Sequence, residues 1–163
     1  SNLAHAEFLH LATNAYVWLC CGINHVRPHR HHPMLLTLSF SESEVSSVVA
    51  GESSLYIRLS AASVESPATP GTNTPAAGYA TGVVLQLPDF EVHEKSEPTF
   101  GRIRAGALRI QKQSKRSCAL PVEYNTPVEL ELAFANGASM LVSASAFIAS
   151  FEGEPNFHES LAC

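Results

Sequence analysis

Aspartate is almost missing from this chain: Asp89 is the only aspartate among fifteen acidic residues. Calcium-binding loops and magnesium-dependent phosphoryl-transfer sites rely largely on aspartate carboxylates as hard oxygen ligands. The scarcity of aspartate therefore argues against both of these chemistries. We expect no resident cofactor.

Long apolar runs are missing as well. The most apolar stretch, residues 15–23, is much shorter than the roughly 18 residues that a membrane-spanning helix needs. It also lacks a basic flank on its N-terminal side, which a secretory signal would carry. We therefore expect neither a membrane span nor a signal peptide.

The cysteines show no disulfide-framework spacing. The chain has four, of which two are adjacent: Cys20, Cys21, Cys118 and Cys163. Frameworks of paired cysteines are typical of small exported domains, whereas unpaired cysteines suit a reducing compartment. The pattern predicts a cytoplasmic protein.

Residues 1–33 differ in composition from the rest of the chain, because six of the eight histidines lie there. Apolar residues at helical spacing allow a helix over residues 3–23, ending at Gly22. Pro28 and Pro33 then exclude a regular helix. We interpret residues 1–33 as a His-rich extension, helical or non-native, and residues 34–163 as a single β domain.

The histidines that follow this possible helix are the obvious metal-ligand candidates: His25, His29, His31 and His32. Neutral imidazoles bind Zn²⁺, Ni²⁺ and Cu²⁺. Prolines and arginines interrupt this cluster, however, and a structural site needs ligands on ordered backbone. The cluster is more typical of a tract that binds metal adventitiously than of a built site.

A hairpin over residues 127–151 is the clearest structural signal in the chain. Its first arm alternates apolar and acidic residues, as a half-buried strand does. A two-residue Asn136-Gly137 loop would place apolar residues opposite serines. A three-residue loop, residues 135–137, instead pairs Leu132 with Met140, Leu130 with Val142 and Val128 with Ala144. We therefore predict a type I turn with Gly137 in the left-handed conformation.

Further alternating segments occur after Met34, and none has helical spacing over more than ten residues. A proline- and glycine-rich stretch at residues 64–78 predicts a long flexible loop. The fold class is all-β: an antiparallel sandwich or open barrel built of hairpins. The predicted core is Leu36, Leu38, Phe40, Leu55, Ile57, Leu59, Val83, Leu85, Ile103, Leu108, Ile110, Val128, Leu130, Leu132, Phe134, Met140 and Val142.

One stretch without any acid, residues 98–122, concentrates positive charge. Its six cations are Arg102, Arg104, Arg109, Lys112, Lys115 and Arg116, while the other four cations and fifteen acids leave −11 on the rest of the chain. We predict a tight hairpin here, turning at Ala105-Gly106. The cations could bind an anion, a nucleic acid or an acidic partner, or face the Glu129/Glu131 surface. Missing aromatic residues and an acidic net charge disfavour nucleic acid.

Nucleophilic catalysis has one weak candidate. Cys118 follows the basic stretch, where nearby cations lower a thiol pKa, and His93 and His158 are available as bases. No spacing brings these residues together. Each histidine is followed by a glutamate, but neighbours on a strand face opposite ways, so neither pair makes a natural dyad.

The residues from Met34 onward, above all the ending FEGEPNFHESLAC, resemble small uncharacterised bacterial proteins of the mobile gene-cassette kind. The resemblance implies no activity. A non-catalytic binding or interaction domain that self-associates is our first interpretation. The alternatives are an enzyme that uses Cys118 or a histidine, and an anion- or nucleic-acid-binding protein that uses residues 102–116.

Self-association is expected because two uncharged segments, residues 34–40 and 140–151, would make unprotected sheet edges. Such a strand is either central in a sheet or covered by another subunit. We therefore predict a symmetric homodimer whose interface contains one of these segments or the segment around Trp18.

Overall fold

The computed structural model describes residues 34–68, 71 and 73–160. The predicted helix over residues 3–23, the histidines His25, His29, His31 and His32, and the Trp18 segment lie outside these described residues. Three of the four cysteines lie outside them too.

The described residues form thirteen strands joined by turns and loops, and every strand pair is antiparallel. Within them there is no helix long and apolar enough to cross a membrane. The strands are β1 (Leu36–Ala50), β2 (Ser54–Ser66), β3 (Ala76–Ala80), β4 (Val83–Pro88), β5 (Glu91–Lys95), β6 (Gly101–Ile110), β7 (Gln113–Lys115), β8 (Ser117–Leu120), β9 (Val122–Tyr124), β10 (Val128–Phe134), β11 (Ser139–Ala144), β12 (Phe147–Phe151) and β13 (His158–Glu159).

One path of hydrogen-bonded strands runs in the order β5-β11-β10-β6-β1-β2-β4-β12-β9. Its two end strands do not pair with each other, so the sheet is not closed. The remaining strands branch from this path: β3 pairs with β2 and β13, β7 with β6, and β8 with β1. The predicted all-β antiparallel class is confirmed.

The β10–β11 hairpin has the predicted register. Leu132 pairs with Met140, and Leu130 pairs with Val142. The N–H of Gly137 donates to the Phe134 carbonyl at 3.1 Å, which closes a β-turn, and Gly137 has a φ of +91°. The predicted three-residue loop is therefore confirmed, because a shift of one residue would have exposed one arm's apolar side chains.

The core follows the alternation of the strands. Every residue of the predicted core is buried except Ile110, which is half-buried against it. Three phenylalanines are among the largest fully buried side chains: Phe40, Phe134 and Phe147. Phe40 and Phe147 meet edge to face with ring centroids 6.4 Å apart. This geometry suits the opposite charges of ring face and ring edge.

The predicted hairpin at Ala105-Gly106 is wrong, because β6 runs unbroken through both residues. Gly106 does not turn the chain. It lies under the side chain of Phe40, where an added Cβ would come within 2.5 Å of the Phe40 Cβ atom. Glycine is needed here for close approach between strands, which is its other common use within a strand. The chain turns instead after Ile110, where Gln111 has a φ of +56°.

The loop predicted over residues 64–78 is shorter than expected. Val64 pairs with Gly78, and Ser66 pairs with Ala76, so both ends of this stretch belong to strands. Small residues such as alanine and glycine are depleted in strands, which is why the pattern was missed.

The uncharged segments are central in the sheet. β11 lies between β10 and β5, and β12 lies between β4 and β9. The first half of β1 lies between β2 and β8. These strands need no second subunit to satisfy their backbone groups, so the argument that placed a dimer interface on them no longer applies.

Replacing Gly137 by Ala is expected to lower the free energy of unfolding by about 1 kcal/mol or more, since alanine resists a positive φ. No heavy atom lies within 4 Å of the position an added Cβ would take, so the effect is purely conformational. Urea denaturation measures it. Gly137→Asn is the matched variant and should lose less, because asparagine tolerates this conformation. Equal stability of wild type and the alanine variant would contradict the turn geometry.

Replacing Gly106 by Ala is expected to cost about 1–3 kcal/mol through overpacking against Phe40. The neighbouring Ala105 is exposed, so Ala105→Ser serves as a control and should change stability by less than about 0.5 kcal/mol. Thermal and urea unfolding of the two variants would decide the matter. A Gly106 variant as stable as the control would show that the strands do not approach this closely.

Candidate anion-binding groove

Two of the six predicted cations are neutralised by acids on neighbouring strands. Arg109 on β6 binds Glu131 at 2.7 Å with one guanidinium nitrogen and Glu129 with another. This contact agrees with the expectation that cations face the Glu129/Glu131 surface. Arg102 forms an ion pair with Glu42 of β1. Both pairs are largely exposed and contribute little stability, but they occupy the charges concerned.

The two lysines of the basic stretch lie apart from these pairs. Lys115 places its Nζ atom 5.3 Å from the centroid of the Tyr124 ring, within the range of a cation–π interaction. Lys112 is exposed in the turn between β6 and β7. Neither lysine lines the groove formed by the remaining two arginines.

Arg104 and Arg116 both line a shallow groove with a volume of about 340 Å³. Both side chains are exposed, and neither forms an ion pair within residues 34–68, 71 and 73–160. Small residues of β6 and β10 also line the groove: Ala105, Gly106, Ala107 and Ala133. Glu131 is the only acid among the described lining residues, and its carboxylate is paired with Arg109, which also binds Glu129.

A β-bulge directs Arg104 toward the groove. Ala133 pairs with Ala105 but Phe134 pairs with Ile103, so Arg104 is the extra residue in β6. Arg104 and Ala105 are consequently both exposed, although strict alternation would bury one of them. Bulges re-aim side chains in this way and often occur next to functional sites.

The groove opens where β1 and β6 separate. The two strands pair at Glu44 with Arg102 and at Val45 with Gly101. Just before this point, the backbone of β1 is irregular at Glu42, which has a φ of +68°. A positive φ is uncommon for a residue other than glycine, and it marks the bend where β1 leaves β6.

Arg116 lies at the point where the chain passes from a strand paired with β6 to a strand paired with β1. It is the single residue between β7, which pairs with β6, and β8, which pairs with β1. Its carbonyl accepts a hydrogen bond from the Phe40 N–H at 3.2 Å. The backbone of Arg116 is therefore held beside β1, and Arg116 lines the same groove as Arg104.

Two unpaired guanidinium groups on a floor of small side chains can bind carboxylate or phosphate. Guanidinium groups present paired N–H donors that match the two oxygens of such an anion. The small floor lets the anion approach without a bulky side chain in the way. The groove is open to solvent, which suits a charged group on a larger partner better than an enclosed small molecule.

Cys118 is not available as a nucleophile. Burial raises the pKa of its thiol to about 12, although the positive charge of Lys115 acts in the opposite direction. The effect of nearby cations expected from the sequence is therefore present, but the loss of hydration outweighs it. A thiol with this pKa stays protonated near neutral pH, whereas the thiolate is the reactive form.

Sequence reasoning missed a contact between His93 and Ser143. The two lie on paired strands, with Nε2 of His93 2.7 Å from Oγ of Ser143. The carboxylate of Glu91 is 4.0 Å from Nδ1 of the same ring, beyond hydrogen-bonding distance. A serine nucleophile needs a base held in place by its acid, so this exposed arrangement lacks the orienting contact. Only strand pairing could reveal it, because fifty residues separate the two partners.

No group of three or more histidine, cysteine, aspartate or glutamate side chains in the described part of the chain could hold a metal ion. His158 lies exposed on β13. It pairs there with Tyr79 of β3.

Comparison with known proteins adds no functional assignment: a scan of protein-family models and searches of curated proteins and of solved structures returned no match. The resemblance to gene-cassette proteins therefore stays a prediction. The groove has to be interpreted from its own chemistry.

Cys118 in the folded protein is expected to react with iodoacetamide at pH 8 at least tenfold more slowly than in urea, since its thiol is buried and protonated. Mass spectrometry of the peptide that contains Cys118 measures this residue apart from the other three cysteines. The same residue in 8 M urea is the control. Equal labelling rates in the two conditions would contradict its burial.

Proposed function

We propose that this protein is a non-catalytic interaction domain that binds an acidic segment of a partner protein in the Arg104/Arg116 groove. The observation that carries the proposal is that some cations of the basic stretch form ion pairs within the fold and others do not. Arg102 and Arg109 are neutralised within the fold, whereas Arg104 and Arg116 share one groove without a carboxylate partner in the described residues. Cations that are not engaged by the fold remain free to bind a ligand.

An acidic protein segment fits this groove better than a nucleic acid does. Proteins that bind single strands combine a basic track with aromatic side chains on which bases stack. None of the described residues that line the groove is aromatic, and the exposed Phe100 is not among them. The chain as a whole carries a net charge of −5, which would repel a long polyanion.

Catalysis is not supported as the main role. The thiol of Cys118 is buried and protonated, and the nearest acid to His93 in the described part of the chain, Glu91, lies beyond hydrogen-bonding distance. The described lining of the groove contains two arginines and one carboxylate, that of Glu131, which is paired with Arg109. We place the protein in the cytoplasm, because the spacing of its cysteines suits a reducing compartment.

The test is binding of fluorescein-labelled hexaglutamate, measured by fluorescence anisotropy in 50 mM NaCl. Arg104→Gln and Arg116→Gln should each weaken binding by about fivefold, which corresponds to about 1 kcal/mol for a solvent-exposed ion pair. Binding should also weaken as NaCl is raised to 500 mM, because salt screens exposed charges.

Lys112→Gln is the matched control, since it removes one positive charge from the same stretch but lies outside the groove. It should leave the affinity within about twofold of wild type. Equal losses in all three variants would mean that net charge, and not the groove, attracts the peptide. A labelled hexaserine peptide should not bind.

A further inference from the structure

A second groove of opposite charge borders the first. It has a volume of about 370 Å³ and is lined by Glu42, Glu44, Ala61, Tyr79 and Arg102. Arg102 and Glu42 neutralise each other. Glu44 is exposed, and its carboxylate forms no ion pair within the residues that the structure describes. The free charge of this groove is therefore negative.

The two grooves are neighbours on the same strands. On β1, Ser41 lines the basic groove, and the next residue, Glu42, lines the acidic one. On β6, Arg104 lines the basic groove and Arg102 lines the acidic one, and both side chains are exposed. Consecutive residues have Cα atoms about 3.8 Å apart, so the grooves lie side by side at Ser41 and Glu42.

We propose that the partner is a second copy of this chain, bound so that the Arg104/Arg116 groove of each copy contacts the Glu44 groove of the other. Adjacent patches of opposite charge become mutually complementary when a two-fold axis passes between them. This inference rests on the proposed function, because it uses the same basic groove and names its occupant.

A second copy places opposite free charges in contact at both grooves at once. An unrelated acidic segment would neutralise Arg104 and Arg116 but would leave Glu44 without a partner. In the reciprocal arrangement each Glu44 faces the guanidinium groups of Arg104 and Arg116, and these two arginines share that one carboxylate. Complementary charges across an interface fix the register of the two partners and reject alternative ones.

The interface differs from the one predicted from the sequence. The uncharged strands β11 and β12 are covered on both sides by neighbouring strands of the same chain. The unpaired charges lie instead on the outer side of β1 and β6, beside the short stretch where these strands pair. Self-association stays a prediction, but charge complementarity replaces the exposed edge as its physical basis.

Charge reversal on the full chain tests the proposal. The wild type is expected to sediment as a dimer at about 100 µM in 50 mM NaCl. Arg104→Glu and Glu44→Arg should each raise the dimer dissociation constant at least tenfold, because each places like charges in contact. Mixing the two variants should restore a dimer that contains one copy of each variant. In this mixed dimer one contact joins the two substituted side chains, which have opposite charges, and the other contact joins the native Arg104 and Glu44.

Lys112→Glu is the control, because it makes the same charge change outside both grooves. It should dimerise like wild type. Circular dichroism and the melting temperature of each variant show whether it is folded, and recovery in the mixture independently excludes misfolding as the cause of dissociation. A dimer whose dissociation constant is unchanged by either reversal would overturn the proposed interface.

The hexaglutamate measurement separates this inference from the proposed function. A wild type that stays monomeric at 100 µM but binds the peptide through Arg104 and Arg116 would overturn the dimer and leave the function standing. A monomeric wild type that does not bind the peptide would overturn both.

Discussion

The close packing of β6 against β1 is the contact on which the rest of this fold depends. Phe40 lies over Gly106, and no other residue type fits there without moving one of the two strands. Beyond this contact the two strands pair at only two positions, yet they join all the strands on one side of the sheet path to those on the other. The same arrangement of β1 and β6 leaves the groove that Arg104 and Arg116 line. The packing of the core and the position of the groove therefore have the same cause.

The contacts of each cation in this protein depend on how its strand pairs with its neighbours. Six cations lie close together in the sequence, but the strand register assigns them to different surroundings. Arg109 pairs with two glutamates of β10, whereas Arg104, the extra residue of the bulge, forms no ion pair within the described residues. A formal charge of +6 over this stretch therefore overstates what it presents to a partner. Of the four cations outside these ion pairs, only Arg104 and Arg116 share a groove, which limits the partner to a local anionic group.

Cys118 shows how two physical effects on the same group can oppose each other. Cations stabilise a thiolate, and Lys115 does so here, but burial removes the water that would solvate it. Burial is the larger effect, so the pKa rises. The nearby cations can be read from the sequence, but the burial of Cys118 cannot. A reactive cysteine cannot therefore be identified from basic neighbours alone, and here the structure turns a candidate nucleophile into a core residue.

Local patterning by itself determined the all-β class, the core residues of the alternating strands and the register of the β10–β11 hairpin, because alternation and turn chemistry depend on residues close in the chain. Other core residues, such as Leu120 and Phe147, were not predicted. Contacts between distant residues were decided only by the tertiary structure. Gly106 resembles a turn glycine until Phe40 is placed above it, and His93 meets Ser143 only through the pairing of β5 with β11. The groove has the same origin: Arg104 and Arg116 are twelve residues apart, and a bulge and a strand crossing, neither visible as a local pattern, bring them to one gap.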